Sequence, residues 1–138
     1  DRFAAVTFWF VIEHFPDLEP VLERARQLLI PGGVLALSTP SAAGISARAH
    51  RASFLERSPA DHYTIWDPRL VRKQLARYGF TVKKIVSTGH HPERFPRCKG
   101  LRSGSPVWSL LLAASRLFSL GDTFEVYAVR NGRLEDAE

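Results

Sequence analysis

The sequence lacks methionine altogether and contains a single cysteine, Cys98, among its 138 residues. One cysteine excludes an internal disulfide and a cysteine-rich metal site, and it fits a reducing compartment such as the cytoplasm. No secretory signal or transit segment is visible at the amino terminus. Position 1 is Asp, and a strand-like run begins two residues later, so we expect the chain to be part of a longer protein.

Long hydrophobic runs are also missing, although 45% of the residues are hydrophobic. The longest apolar stretch, residues 108–120, is interrupted by three serines and by Arg116. A helix that crosses a bilayer needs about 20 predominantly apolar residues, so the pattern argues against a membrane span. The chain is still long enough to bury one core, and we expect one domain or part of one.

Acidic residues are outnumbered, because 19 Lys and Arg against 14 Asp and Glu give a net charge of +5. The excess is concentrated in residues 90–102, where four basic residues meet one acidic residue. Such a segment is typical of a solvent-exposed loop, and contact with an acidic ligand is the alternative. The charge permits a nucleic-acid partner, but nothing else in the pattern favours one over a small molecule.

The first forty residues have the pattern of a parallel βαβ unit. Residues 3–12 are apolar at nearly every position, which is typical of a strand covered on both faces, with a buried helix as the alternative. Asp17 is a good helix N-cap, Pro31-Gly32-Gly33 stops the helix, and residues 34–38 form the next buried strand. A short crossover predicts a right-handed parallel pair, whose strand ends border the ligand site of an open α/β sheet.

The remaining sequence continues the alternation of helices and strands. Residues 41–60 have a weak helical pattern, and a clearer helix begins at Asp67-Pro68 and ends before Gly79, with Leu70 among its inward-facing positions. The other predicted elements are a strand at residues 80–87, a helix around residues 108–118, a strand at residues 123–130 and a frayed tail at residues 133–138.

Five motifs occur in order along the chain. They are Glu13-His14 before a Pro-Asp helix start, the Pro31-Gly32-Gly33 turn, the strand end Thr39-Pro40, His62-Tyr63 leading to Asp67-Pro68, and the junction Gly79-Phe80. Together they resemble the carboxy-terminal half of a class I, S-adenosylmethionine-dependent methyltransferase, in the branch whose fourth strand ends in Glu-His. The resemblance covers residues 3–86 with good specificity and resumes more loosely at residues 121–130.

The resemblance implies an α/β fold with part of a Rossmann-like methyltransferase sheet. The family's sheet has seven strands in the order 3-2-1-4-5-7-6, and the last strand is antiparallel. The four predicted strands would be strands four to seven, in the order 4-5-7-6 with flanking helices, and residues 1–132 would be the carboxy-terminal part of the domain. Strands one to three would lie outside the chain, together with the glycine-rich cofactor loop, and the sequence contains no GxGxG.

Two positions depart from the family's pattern. Ala4 stands where the family often has Asp at the start of strand four. Phe10 stands three residues before Glu13, where quinone-type O-methyltransferases of this branch carry a second Glu for a divalent metal. Glu13 and His14 alone offer too few ligands for a hard metal ion, so we expect no metal site.

The resemblance also implies roles for residues at the end of the first strand. Phe10 and Val11 would contact the S-adenosylmethionine cofactor near its methionine end, and plain core packing is the alternative. His14 is the candidate general base, because a near-neutral pKa suits removal of a proton from a phenol, alcohol or amine, and a purely structural hydrogen-bonding role is the alternative. Glu13 would be the second catalytic residue, orienting His14 or capping a nearby backbone group, and a structural role at the start of the next helix is the alternative.

Three further residues are predicted on the acceptor side of the site. Thr39, with Pro40, ends the second strand and would face the substrate, unless it only terminates the strand. His62 and Tyr63 precede a capped helix and could close over the acceptor, although Tyr63 could equally serve in packing.

The sequence therefore predicts part of an enzyme that moves a methyl group from S-adenosylmethionine to an oxygen or nitrogen of a small-molecule acceptor. We expect these residues alone to be weak or inactive, because half of the cofactor site is not among them. The alternative is a non-catalytic α/β module that forms a homodimer through the exposed edge of the first strand. A nicotinamide-dependent oxidoreductase has the same kind of fold, but the Glu13-His14 strand end argues against it.

Overall fold

The computed structural model describes residues 2–132, so the predicted frayed tail at residues 133–138 lies outside the described residues. Two 3-10 turns, Ile12–His14 and Pro92–Arg94, connect the longer elements. No helix in residues 2–132 is long and apolar enough to cross a membrane. In chain order the helices and strands are β1 (Phe3–Trp9), α1 (Glu19–Leu28), β2 (Leu29–Pro40), α2 (Ile45–Ala49), α3 (Arg51–Glu56), α4 (Val71–Ala76), β3 (Phe80–Thr88), α5 (Pro106–Leu117) and β4 (Thr123–Arg130).

The four strands form one sheet in the order β1-β2-β4-β3. β1 and β2 are parallel, and β4 is antiparallel to both β2 and β3. A parallel pair requires a crossover connection, which α1 supplies between β1 and β2. The predicted fold class, a 4-5-7-6 sheet with an antiparallel last strand, is confirmed.

β1 is shorter and more exposed than the sequence predicts. The strand ends at Trp9, Phe10 has a left-handed φ of 53°, and the chain then enters the 3-10 turn, so residues 10–12 are not strand. Most side chains of β1 are exposed, although the apolar pattern predicted cover on both faces. Among the described residues β1 pairs with β2 alone, so its outer edge and much of its surface have no neighbour.

The Pro31-Gly32-Gly33 segment is not the turn that ends α1, as predicted, but part of β2. The two glycines lie where the register between β1 and β2 shifts, after the pairing of Phe3 with Leu29. A Cβ atom added at Gly33 would lie 2.9 Å from the carbonyl oxygen of Ile30. Glycine is therefore required by a close approach of backbones inside the strand.

The two aspartates predicted as N-caps, Asp17 and Asp67, lie two and four residues before the first residues of their helices. Asp17 Oδ1 accepts a hydrogen bond from Glu19 N at 3.1 Å, and Glu19 is the first residue of α1. The backbone carbonyl of Asp67 accepts from Leu70 N and Val71 N, and α4 begins at Val71. Leu70 consequently precedes the helix and is 53% exposed, so its predicted inward position is wrong.

One hydrophobic core joins the sheet to α1 and α4. Leu22 of α1 and Leu75 of α4 are almost completely buried in it, together with Ile12 of the first 3-10 turn. Burial of each such side chain stabilises the fold by about 1.5–3 kcal/mol. Its sheet members are Leu29, Leu35, Leu37, Phe80, Val82, Phe124, Val126 and Ala128.

Candidate functional site

The carboxyl ends of β1 and β2 carry a bend that leads into the first site residues. Phe10 N donates to the Ser38 carbonyl at 3.1 Å, which ties the bend to β2. The 3-10 turn follows, and its first residue, Ile12, is fully buried in the core. This apolar anchor fixes the position of the next two residues, Glu13 and His14.

Glu13 is a buried carboxylate. The residue is 1% exposed, and its Oε2 atom has no hydrogen-bond partner among residues 2–132. A buried polar atom without a partner destabilises a fold, because its hydration is lost without compensation. Such an atom in a native fold is a candidate for contact with a bound molecule.

Backbone hydrogen bonds bring His62 to this turn. The Glu13 carbonyl accepts from Tyr63 N at 2.9 Å and from Thr64 N at 3.3 Å. The rings of His14 and His62 consequently meet edge to face, with centroids 4.7 Å apart and planes at 89°. The structure thus brings together Glu13, His14 and His62, which the sequence had predicted separately as catalytic and acceptor-side residues.

Asp61 is a site residue that the sequence analysis missed. Its Oδ2 lies 3.1 Å from His14 Nδ1, whereas the described chain has no hydrogen bond between the side chains of Glu13 and His14. No hydrogen bond joins Asp61 and His14 in residues 2–132 either, and their contact becomes an ion pair only when His14 is protonated. The available signal was the Asp directly before His62, in the segment already predicted to border the site.

Glu13, His14 and His62 also form a set that could hold a metal ion. One ligand atom from each lies within 4.8 Å of the others. One carboxylate and two imidazoles suit zinc or non-haem iron better than magnesium, which prefers oxygen ligands. The sequence analysis counted only two of these ligands, and its expectation of no metal stays a prediction.

The predicted cofactor residues lie on the surface at the end of β1. Phe10 is 51% exposed and Val11 42%, and the preceding Trp9 is 46% exposed. Three consecutive exposed apolar residues at a strand end offer a surface for the apolar parts of a ligand.

The predicted acceptor-side residues differ in exposure. Thr39 is completely buried, and its Oγ1 has no partner in the described part of the chain. The following Pro40 lines a cavity, and so does His62. Tyr63, which follows His62 in the chain, is 60% exposed.

The cavity has a volume of about 810 Å³. It lies at the edge of the sheet where β2 ends and β4 begins, with Pro40 and Thr123 in its wall. Residues of α2 and α3 form one side, and residues 91–99 form another. Its size is in the range of small-molecule binding sites.

Two hydrogen-bonded pairs of side chains outside the cavity have shifted pKa values. A side-chain hydrogen bond from Arg69 holds the pKa of Asp67 below its ordinary value, with Arg69 Nη2 at 2.6 Å from Oδ2. The Tyr127 hydroxyl donates to Glu125 Oε2 at 2.6 Å, which raises the pKa of Tyr127. These interactions fix the start of α4 and the middle of β4 rather than the site.

A model of a methyltransferase domain family matches residues 1–85, which include the Glu13-His14 turn and the His62 segment. The chain belongs to this methyltransferase domain family. Comparison with curated proteins gave no match.

Solved structures similar to this methyltransferase chain share its fold at low sequence identity. The putative methyltransferase of Haloferax volcanii, solved with a methyltransferase activator, is 17% identical with a TM-score of 0.61, over 96% of this chain and 56% of that one. A putative methyltransferase from Bacillus halodurans is 19% identical with a TM-score of 0.59, over 95% and 71%. A Haemonchus contortus phosphoethanolamine N-methyltransferase, in complex with phosphomonomethylethanolamine and S-adenosylhomocysteine, is 16% identical with a TM-score of 0.57, over 94% and 34%. The chain thus spans little more than half the length of the first of these structures.

Proposed function

We propose that the chain forms the acceptor-side half of an enzyme that transfers a methyl group from S-adenosylmethionine to an oxygen or nitrogen of a small-molecule acceptor. The observation that carries the proposal is the pairing of His14 with Asp61 beside the buried Glu13, at the carboxyl end of β1. His62 links this group to the cavity, since its ring contacts His14 and it also lines the cavity wall. Membership of the methyltransferase domain family supports the reaction class.

The cofactor supplies an electrophilic methyl group on a positively charged sulfur. Phe10 and Val11 would contact its apolar parts, as their exposure at the strand end supports. Alignment of the acceptor with that methyl group is then the main task of the protein, because in-line displacement depends on proximity and orientation.

His14 is suited to accept the proton that the acceptor loses. In the acceptor-bound state Nδ1–H would donate to Asp61 Oδ2, which lies 3.1 Å away, and the lone pair would then lie on Nε2, the basic atom. The buried carboxylate of Glu13 would stabilise the resulting imidazolium, because a charge in a weakly polar environment acts strongly over a few ångströms. His62 would contact the acceptor, and Tyr63 would close over it from the exposed side.

Thr39 has a different role in this proposal. Its hydroxyl is buried and unpartnered among the described residues, so it would support the strand end beneath the acceptor rather than form the wall. Pro40, which lines the cavity, would contact the acceptor directly.

The described residues would need a further part of the sheet for full activity. β1 has an unpaired outer edge in residues 2–132, and the 138 residues contain no glycine-rich cofactor loop. Strands that pair with this edge would complete the cofactor site. We therefore propose that the 138 residues alone have weak or no methyltransferase activity. We also propose a cytoplasmic location, where the reducing environment keeps the free thiol of Cys98 reduced.

The test is methyl transfer from radiolabelled S-adenosylmethionine to a panel of small phenols, alcohols and amines. It is run on the 138 residues alone and on the chain with any segment that its gene encodes before Asp1. Replacement His14→Gln should lower kcat/KM by about 10²–10⁴-fold where activity is found. Glu23→Gln, an exposed change on α1, is the control and should leave the rate unchanged. Activity that survives His14→Gln would remove the assigned base.

The second candidate function is a non-catalytic module that dimerises through β1. The unpaired edge of β1 and the exposure of Phe3 and Trp9 favour it, because such edges recruit another strand. Size-exclusion chromatography with light scattering distinguishes the two. An ordered dimer that has no affinity for S-adenosylmethionine, even with the preceding segment present, would favour the module.

A further inference from the structure

The cavity has a strongly basic wall. Its lining includes four basic residues, Arg57 directly after α3 and Arg94, Arg97 and Lys99 of the basic loop, which we define as residues 90–102. Within residues 2–132, the carboxylates that line it are those of Glu93 and Asp122. The sequence left open whether the basic loop is solvated or contacts an acidic ligand, and the structure makes this loop a wall of the cavity.

Both carboxylates are already engaged by groups of the protein. Asp122 Oδ2 accepts from Arg94 Nη1 at 2.8 Å and from Ser46 Oγ at 2.7 Å, and its Oδ1 accepts from Ser46 N at 2.8 Å. Glu93 Oε1 lies 3.1 Å from His91 Nδ1. The charge of Asp122 is therefore balanced by Arg94, and the Glu93 carboxylate is hydrogen-bonded by His91.

The other basic residues have no such partner. In the described part of the chain, the side chains of Arg57, Arg97 and Lys99 make no hydrogen bond or ion pair with another residue. All three are exposed, and they approach the cavity from two different elements. Three unpaired cations around one cavity repel one another, and an anion between them would remove that repulsion.

The framework that carries these cations is well fixed. The Asp122 side chain is only 8% exposed, and a Cβ atom at Gly44 would lie 2.6 Å from its Oδ1, so the carboxylate is packed tightly. The ring of His90 bonds to Ser115 Oγ at 2.8 Å and to the Ser87 carbonyl at 3.1 Å, which ties the start of the basic loop to α5 and β3. Arg94 is held half-exposed at the wall by its bond to Asp122.

We infer that the methyl acceptor carries an acidic group, a phosphate or a carboxylate, which binds between Arg57, Arg97 and Lys99. This rests on the proposed function. The acidic group would occupy the basic side of the cavity, and the methylated oxygen or nitrogen would lie at the end formed by Pro40 and His62. Guanidinium groups suit both anions because they donate two parallel hydrogen bonds to paired oxygens.

The test uses inorganic phosphate and succinate as probes, titrated into the protein and followed by NMR. A triple variant, Arg57→Gln with Arg97→Gln and Lys99→Gln, removes the three unpaired cations. Its matched control is Lys73→Gln with Lys83→Gln and Lys84→Gln, which makes the same change in net charge at exposed positions outside the cavity. Because all six residues are exposed, we expect both variants to fold, as circular dichroism would verify.

We expect the cavity variant to bind the preferred probe at least about tenfold more weakly, since bonds to charged groups contribute strongly, while the control changes less than about twofold. Saturation by phosphate but not by succinate identifies a phosphate-bearing acceptor, and the reverse identifies a carboxylate. Equal losses in the two variants, or no binding of either probe, would overturn the inference.

Two further readouts separate this inference from the proposed function and from nucleic-acid binding. The first is made on the chain with any segment that its gene encodes before Asp1. An unmodified protein that binds S-adenosylmethionine but neither phosphate nor succinate contradicts the inference alone, whereas one that binds an anion but transfers no methyl group contradicts the proposed function alone. A short oligouridine that binds more tightly than phosphate, through the same cations and with a steep salt dependence, would make the wall a nucleic-acid surface and overturn the inference.

Discussion

His14 Nδ1 lies 3.1 Å from Asp61 Oδ2, and this contact joins the end of β1 to the loop before α4. A carboxylate on one ring nitrogen fixes the tautomer and the orientation of an imidazole, and leaves the other nitrogen for chemistry. The His14 side chain is 36% exposed, and its ring contacts that of His62, which lines the cavity. The pair is the core of the proposed mechanism.

Asp61→Asn should lower kcat/KM by about tenfold, because a larger fraction of His14 would carry its proton on Nε2 and could not act as a base there. Glu56→Gln, an exposed change on α3, is the control. No fall in kcat/KM, or a fall that the control shares, would mean that Asp61 does not position His14.

Glu13→Gln should lower activity without loss of stability. The amide has the shape of the carboxylate and removes a buried charge, so the free energy of unfolding should stay the same or rise by about 1 kcal/mol. The rate should fall about tenfold, because the protonated form of His14 loses a nearby negative charge. Thermal unfolding and kcat/KM are measured side by side, with the exposed Glu23→Gln as the matched control. A variant that is less stable but equally active would give Glu13 a structural role only.

Treatment with a chelator should leave methyl transfer unchanged. Glu13, His14 and His62 offer ligand atoms within 4.8 Å of one another, but the proposed transfer needs no metal, because S-adenosylmethionine carries an already activated methyl group. We therefore expect His14 to act as a base rather than as a ligand. The measurement is the rate after dialysis against EDTA, followed by addition of zinc or ferrous ion. Loss on dialysis with recovery on addition would contradict this prediction and favour a metal site.

Asp67→Asn should destabilise the fold above pH 4 and have little effect in strong acid. Arg69 lowers the pKa of Asp67 in the folded state, so the interaction stabilises the protein above the unfolded pKa of about 3.9 and is lost as the pH falls through the folded value. Because the Arg69 side chain is 70% exposed and screened by solvent, we expect the loss of stability at neutral pH to be small. Urea unfolding at several pH values provides the measurement, with Glu56→Gln as control. A difference that persists at pH 2 would assign the effect to packing.

The strands of the sheet were predicted well from the sequence, because the spacing of hydrophobic residues indicates a strand directly. The alternation of Phe124, Val126 and Ala128 corresponds to buried positions of β4, and the crossover to β2 gave the parallel pair. Boundaries were less accurate. At Phe10, a hydrogen bond to Ser38 and a left-handed φ end the strand, although the apolar run continues. That bond comes from a neighbouring strand, so local sequence carries no signal for it.

The candidate site residues were also predicted in part, from their positions at the ends of strands. Residues after the ends of parallel strands converge, which indicated His14 and Glu13 without any knowledge of distances. The contact with Asp61 and the ring contact with His62 depend on backbone bonds from Tyr63 and its neighbour to the Glu13 carbonyl. Bonds between segments so far apart along the chain leave no periodic pattern in the sequence.

Calorimetric titration with S-adenosylmethionine tests the central claim, that the chain is the acceptor-side half of a methyltransferase site. We predict weak or undetectable binding by the 138 residues alone, and micromolar binding when strands that pair with β1 are supplied by a preceding segment. In the complete form, Phe10→Ala should weaken binding about tenfold, since it removes an apolar side chain at the cofactor surface. A monodisperse monomer of the 138 residues that binds the cofactor at micromolar affinity would contradict the account.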